Sequence, residues 1–166
     1  MIDTQDISPS LSQLFSELVD GASAPGGAFI LNSGDAGLLR SLDTLTPAQA
    51  SRAVEGGATI AAHAEHLYYG LSLMNRWATE GGDPFSDATW EKAWKTTAVD
   101  EREWAEIRER LRDVVQQWLK ALAAPRRAAR GELNGMIGSI AHLAYHMGAI
   151  RQIAAKARGP REGTYQ

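Results

Sequence analysis

The chain has 166 residues, of which 44% are hydrophobic and 22% charged, with a formal net charge of −3; that length suffices for one ordinary domain with a hydrophobic core, so a single domain over residues 1–166 is expected. No Cys occurs, which excludes disulfides, thiolate ligands and a cysteine nucleophile, and leaves thiol chemistry to an external thiol. Residues 126–166 hold seven Lys/Arg against two Glu, but these cluster in the loop around Arg126, Arg127 and Arg130 and in the tail rather than along one face, a distribution that speaks against nucleic-acid binding.

The first residues, Met1 to Pro9, are acidic and carry no apolar leader, and no stretch approaches the roughly 18 apolar residues of a membrane span. The expectation is a cytoplasmic protein with no membrane partner. Ser8-Pro9 reads as an N-cap with proline at the first helical position, followed by Leu11, Leu14, Phe15, Leu18 and Val19 at helical spacing until Gly21. Residues 22–34, rich in Gly and Ser, read as a loop. Asp35 can cap a short helical piece through Leu38, Leu39 and Leu42, and Thr46-Pro47 can start another short turn.

A second long helix is expected from about Thr59 to Thr79, with Ile60, Ala64, Leu67, Leu71 and Met74 on one stripe. His63, His66, Gly70, Leu73 and Trp77 occupy the neighbouring stripe. Residues 83–98 form a long connection in which Trp90 and Trp94, four apart, suggest a helical turn able to cover a site. Asp100 with Glu103 resembles a capping box and starts a third helix that keeps its period to Pro125. The fourth runs from near Glu132 to about Ala157, ahead of Gly159-Pro160. Nothing in the pattern suggests a β-sheet. The sum is an all-α protein, a four-helix bundle with long connections and at least one crossover.

All four histidines fall in two of these helices, His63 and His66 in the second and His142 and His146 in the fourth. Residues four apart differ by about 40° around a helix axis, so His142 and His146 can close a chelate on one ion. His66 is the chosen helix-two ligand, because Gly70 one turn later allows another helix to approach, with His63 a supporting or alternative ligand. Three imidazoles on one divalent metal leave a position open for water or substrate. The alternative is four packed, hydrogen-bonded core histidines. HisGluxxHis is absent, no GluxxHis pair supports a di-iron centre, and no nucleophile elbow, Walker loop or dinucleotide fingerprint occurs.

HisLeuAlaTyrHisMetGlyAlaIleArgGln, residues 142–152, is similar to the HisxxxHis-(Leu/Met)-Gly-x-Ile signature of the DinB-like superfamily, also called the DinB/YfiT group, whose second helix carries a His-Leu element like His66-Leu67 with a later tryptophan, here Trp77. The resemblance implies a four-helix bundle of DinB/YfiT type, often homodimeric, in which His66, His142 and His146 bind one divalent metal, commonly nickel, zinc or iron. It further implies kinship with S-transferases and isomerases that use mycothiol, bacillithiol or glutathione, although the fold by itself does not settle the reaction.

The leading reading is therefore a metal-dependent enzyme that activates water or an external low-molecular-weight thiol against a small-molecule substrate, of hydrolase or thiol S-transferase type. A non-enzymatic metal-binding or stress-response bundle is the second reading, and a metal-free dimerisation module with packed histidines the third. Tyr145 is expected as a packed phenol and Arg151 as a surface ion-pair partner, while Trp77, Trp90, Trp94 and Trp104 either line a cleft or fill the core.

Overall fold

The computed structural model describes residues 1–22 and 28–160. Four long helices carry the fold: α1 (Ser8–Asp20), α4 (Ile60–Glu80), α5 (Glu101–Ala123) and α6 (Arg130–Ile153). Two short helices, α2 (Gly37–Asp43) and α3 (Pro47–Ala50), lie in the first connection, and a 3-10 helix, Trp90–Trp94, lies in the second. Around the bundle, α5 packs against α1 and α4, and α6 packs against the same two. The all-α four-helix bundle with long connections is thus the observed architecture, and among the described residues no helix is long and apolar enough to cross a membrane.

Most helix starts follow from local chemistry. Thr59 caps α4 by accepting from Ala62 N at 3.1 Å, Thr46 and Gln49 close a capping box on α3, and Asp100 and Glu103 close another on α5. At α1 the outcome differs from the expected Ser8 cap. Ser8 already lies in the first turn, its hydroxyl donating to Thr4 Oγ1 at 3.1 Å, and Ile7 stands at the cap position. The last helix ends earlier than its apolar period suggested, at Ile153, and a 3-10 turn, Ala155–Ala157, continues the chain.

A second departure is a small antiparallel ladder of β1 (Ile2–Asp3) and β2 (Arg127–Ala128), pairing Ile2 with Ala128 and Asp3 with Arg127. Two-residue strands are too short to show a period, so this pairing leaves no mark in the sequence. Of the expected loop over 22–34, residues 28–34 form neither helix nor strand, and residues 23–27 lie outside the described residues.

The core unites Phe15 and Leu18 of α1, Leu38 and Leu42 of α2, Ile60 and Leu67 of α4, Trp104, Leu111, Trp118 and Leu122 of α5, and Met136 and Leu143 of α6. Indole donors find partners there, Trp104 Nε1 on Leu45 O at 2.9 Å and Trp118 Nε1 on Ser139 Oγ at 2.8 Å. The faces of α4 and α6 next to this apolar interior carry the histidines.

Candidate metal centre

α4 supplies His63 and His66, and α6 supplies His142 and His146 from adjacent turns. His142 Nε2 stands 2.9 Å from His146 Nε2 and 3.1 Å from His66 Nε2, and one nitrogen from each of the three rings lies within 4.8 Å of the others. His66 and His146 are buried, while His142 is partly exposed and forms the accessible side of the group. Gly70 faces His142 and Trp90, but a Cβ there would make ordinary contacts, 3.9 Å from His142 Cε1 and 3.8 Å from Trp90, so the approach of the two helices does not depend on a glycine at this position.

Burial, followed by repulsion from neighbouring imidazoles, pushes His146 down to about 3 and His66 down to about 4. Burial also lowers His63 and His142. Near neutral pH the donors are therefore uncharged rings that present lone pairs. His142 Nε2 carries either one proton or one lone pair, and it faces two nitrogens at once, at 2.9 and 3.1 Å. Three such atoms around one point suit a shared electron-pair acceptor: imidazoles bound to one tetrahedral ion at about 2.0–2.1 Å have nitrogens separated by about 3.3 Å, close to the 2.9 and 3.1 Å that separate His142 Nε2 from the other two. The residues fit a divalent cation.

His63 does not join the three. Its Nδ1 lies 2.9 Å from Nδ1 of His146, on the far side of that ring from the cluster. A partner on the second ring nitrogen fixes both tautomer and orientation of a ligating histidine. His66 is held differently, since its buried Nδ1 has no hydrogen-bond partner among the described residues. Packing does the orienting instead, with Trp94 stacked on the ring at 4.2 Å and 26° and Trp90 at 5.4 Å. Trp94 also meets His63 edge-on at 5.4 Å.

This aromatic cover is the part that sequence reasoning left open. α4 fixes the connection over the site at three points. Thr59 Oγ1 donates to Thr96 O at 2.6 Å, Thr89 N donates to Tyr69 OH at 2.7 Å, and Arg76 donates to Pro84 O at 2.6 Å while pairing with Asp87. Trp90 and Trp94 remain 36% and 37% exposed, forming a rim rather than core, whereas Trp104 is buried in the core and Trp77 packs against Trp118 at 6.2 Å. Both halves of the expectation for the tryptophans are thus met, by different residues.

Two further expectations are corrected. Tyr145 is 72% exposed and touches His146 only by its ring edge, at 5.0 Å, because its position on α6 points away from the bundle. Arg151 does not make a surface ion pair: it reaches Asp35 at 2.7 Å, and the Asp35 side chain is only 2% exposed. Tyr68 lies under the Arg110 guanidinium at 4.8 Å, and with Tyr69 engaged by Thr89 neither phenol belongs to the histidine group.

No curated protein and no solved structure compared with the chain matches it. The family model described as the DinB superfamily matches residues 33–150, a span that contains α4, the aromatic cover, α5 and all four histidines. The chain belongs to the DinB superfamily.

Proposed function

We propose that His66, His142 and His146 hold one divalent cation, nickel, zinc or iron, and that the protein is a metal-dependent enzyme of thiol S-transferase or hydrolase type. The observation that carries this reading is the convergence of three neutral Nε2 atoms from two helices. A cation bound by three imidazoles keeps a position for water or an external thiol and lowers its pKa toward neutrality. The chain supplies the surroundings. With His146 Nε2 used as a donor atom, its Nδ1 carries the proton and donates it to Nδ1 of His63, which locks the ring. Trp94 shields the buried side of His66 from water, and the partly exposed His142 side remains open to a small-molecule substrate.

A chain without Cys must take its thiol, if it uses one, from solution. A purely structural metal role would be favoured by a saturated shell, and the position of His63 behind His146 supports the open shell instead. Homodimerisation belongs to the same reading: Leu133 to Ile150 of α6 contain no Asp, Glu, Lys or Arg, and Ile137 and Tyr145 face solvent.

Cobalt-loaded protein titrated with a small thiol tests the enzymatic reading. A new thiolate-to-cobalt charge-transfer band and altered visible bands are expected, and a spectrum unchanged by thiol, azide or pH would indicate a closed, structural shell.

A further inference from the structure

We propose that an apolar groove running from His142 along the α4–α6 boundary is the substrate channel, and that it takes an uncharged aliphatic or aromatic group whose polar head reaches the histidines. This rests on the reading of the three histidines as a metal site. The groove begins in a cavity of about 270 Å³ walled by Leu67, Leu71, Met74, Phe85, Trp90 and His142. A second cavity of about 290 Å³ shares Met74, Phe85 and Gly135 with the first and extends it past Trp77 and Pro84 to Glu132. Together they reach the size range of small-molecule pockets, roughly 300–1,000 Å³.

The groove exists because side chains are missing from one wall. A Cβ on Gly135 would come within 3.3 Å of Met74 Cε, and one on Gly138 would meet nothing within 4 Å, so these two glycines of α6 leave the space that ordinary residues would occupy. The opposite rim is aromatic and partly open: Phe85 is 45% and Trp90 36% solvent-exposed, and the two rings stack at 6.1 Å and 21°. Large aromatics left open along a concave surface are a binding feature rather than core.

Charge selects the occupant. Among the described residues no Lys or Arg lines either cavity, and the ionisable groups besides His142 are Asp83 and Glu132 at the distal end. Both carboxylates are engaged, Asp83 by Phe85 N at 2.9 Å and Glu132 by Trp77 Nε1 at 3.2 Å. A carboxylate or phosphate tail would meet two acids, and the nearby guanidiniums are engaged outside the lining, Arg76 with Pro84 O and Asp87 and Arg126 over the Trp77 ring. The same wall disfavours a multiply charged thiol cofactor, so the groove serves the apolar reaction partner.

Fluorescence of the uncharged probe N-phenyl-1-naphthylamine, titrated into the full chain with and without metal, tests the groove directly. Saturable 1:1 binding is expected in both forms, weakened by about tenfold or more in Gly135→Leu, which fills the channel, and in Phe85→Ser, which removes the rim at an exposed position that does not endanger folding. On metal-loaded protein, straight-chain alkyl hydroxamates should tighten about two- to fourfold per methylene from acetyl to hexanoyl, while an equally long chain ending in carboxylate should gain nothing.

Absent probe binding, binding unaffected by both variants, or hydroxamate affinity independent of length would overturn the proposal. Probe binding that falls as the protein is concentrated would assign the groove to a second copy instead and would overturn it too. Metal content measured on the same samples separates the two readings. Protein that takes up no metal removes the histidine assignment, yet the naphthylamine result still decides the groove.

Discussion

The two long connections of this bundle differ in how the polar groups beside them are satisfied. In the first, Leu38, Leu39 and Leu42 enter the core and the polar groups are paired: the Glu17 carboxylate accepts from the backbone N–H groups of Phe29, Ile30 and Leu31, while the Phe29 and Ile30 side chains stay exposed over no histidine. Asp35 accepts from Gly37 N and from Arg151. The second connection holds Phe85, Trp90 and Trp94 half in solvent, above histidine nitrogens that crowd one another. Satisfied, buried polar groups belong to stability. Crowded donors beneath exposed aromatics belong to binding, because only a ligand completes them.

Substitutions can break that contrast. The largest effect is expected from His66→Ala, His142→Ala or His146→Ala, each of which should weaken metal retention by more than about 100-fold while leaving the helical circular dichroism intact. Metal content of purified variants, by mass spectrometry, checks it. Asp35→Ala should do the reverse, costing about 3–5 kcal/mol in urea unfolding because Arg151 is left charged and mostly buried, with metal content unchanged. Equal metal loss in both sets would erase the distinction between the two connections.

Acid sharpens the same comparison. His66 and His146 titrate near 4 and 3 in the folded protein and near 6.5 when unfolded, so on going down in pH the unfolded chain takes up protons first. Metal-free protein should accordingly keep this contribution to stability above pH 6.5 and lose it progressively as pH falls toward 3–4. Urea midpoints across that range measure it, and a flat profile would show that the imidazoles are not desolvated together. Smaller effects are expected from Trp94→Ala and His63→Ala, each lowering metal affinity by about tenfold through a less firmly held His66 or His146. An effect of His63→Ala larger than that of His66→Ala would exchange their roles.

Much of this site is written in local sequence. Thr59, Asp100 and Glu103 announce their helix starts, and the four-residue spacing of His142 and His146 places both rings on one face whatever surrounds them. Gly70 gives no such signal for preferring His66 to His63, because a side chain there would meet His142 only at ordinary contact distance. What could not be read depends on where distant segments land. Arg151 and Asp35 are 116 residues apart, Glu17 meets backbone rather than a patterned partner, and the cover of Trp90 and Trp94 follows from the Thr59–Thr96, Tyr69–Thr89 and Arg76–Asp87 contacts. The exposure of Tyr145 is a similar case, because helical period alone does not say where the bundle stops.

The central claim is that three imidazoles, two from α6 and one from α4, bind a single ion. X-ray absorption at the metal edge, on full-length protein purified without a polyhistidine tag, tests it most directly. Close to one divalent ion per chain, with three imidazole nitrogens at about 2.0–2.1 Å, is expected. Protein that carries no metal, or a shell without three imidazoles, would contradict it.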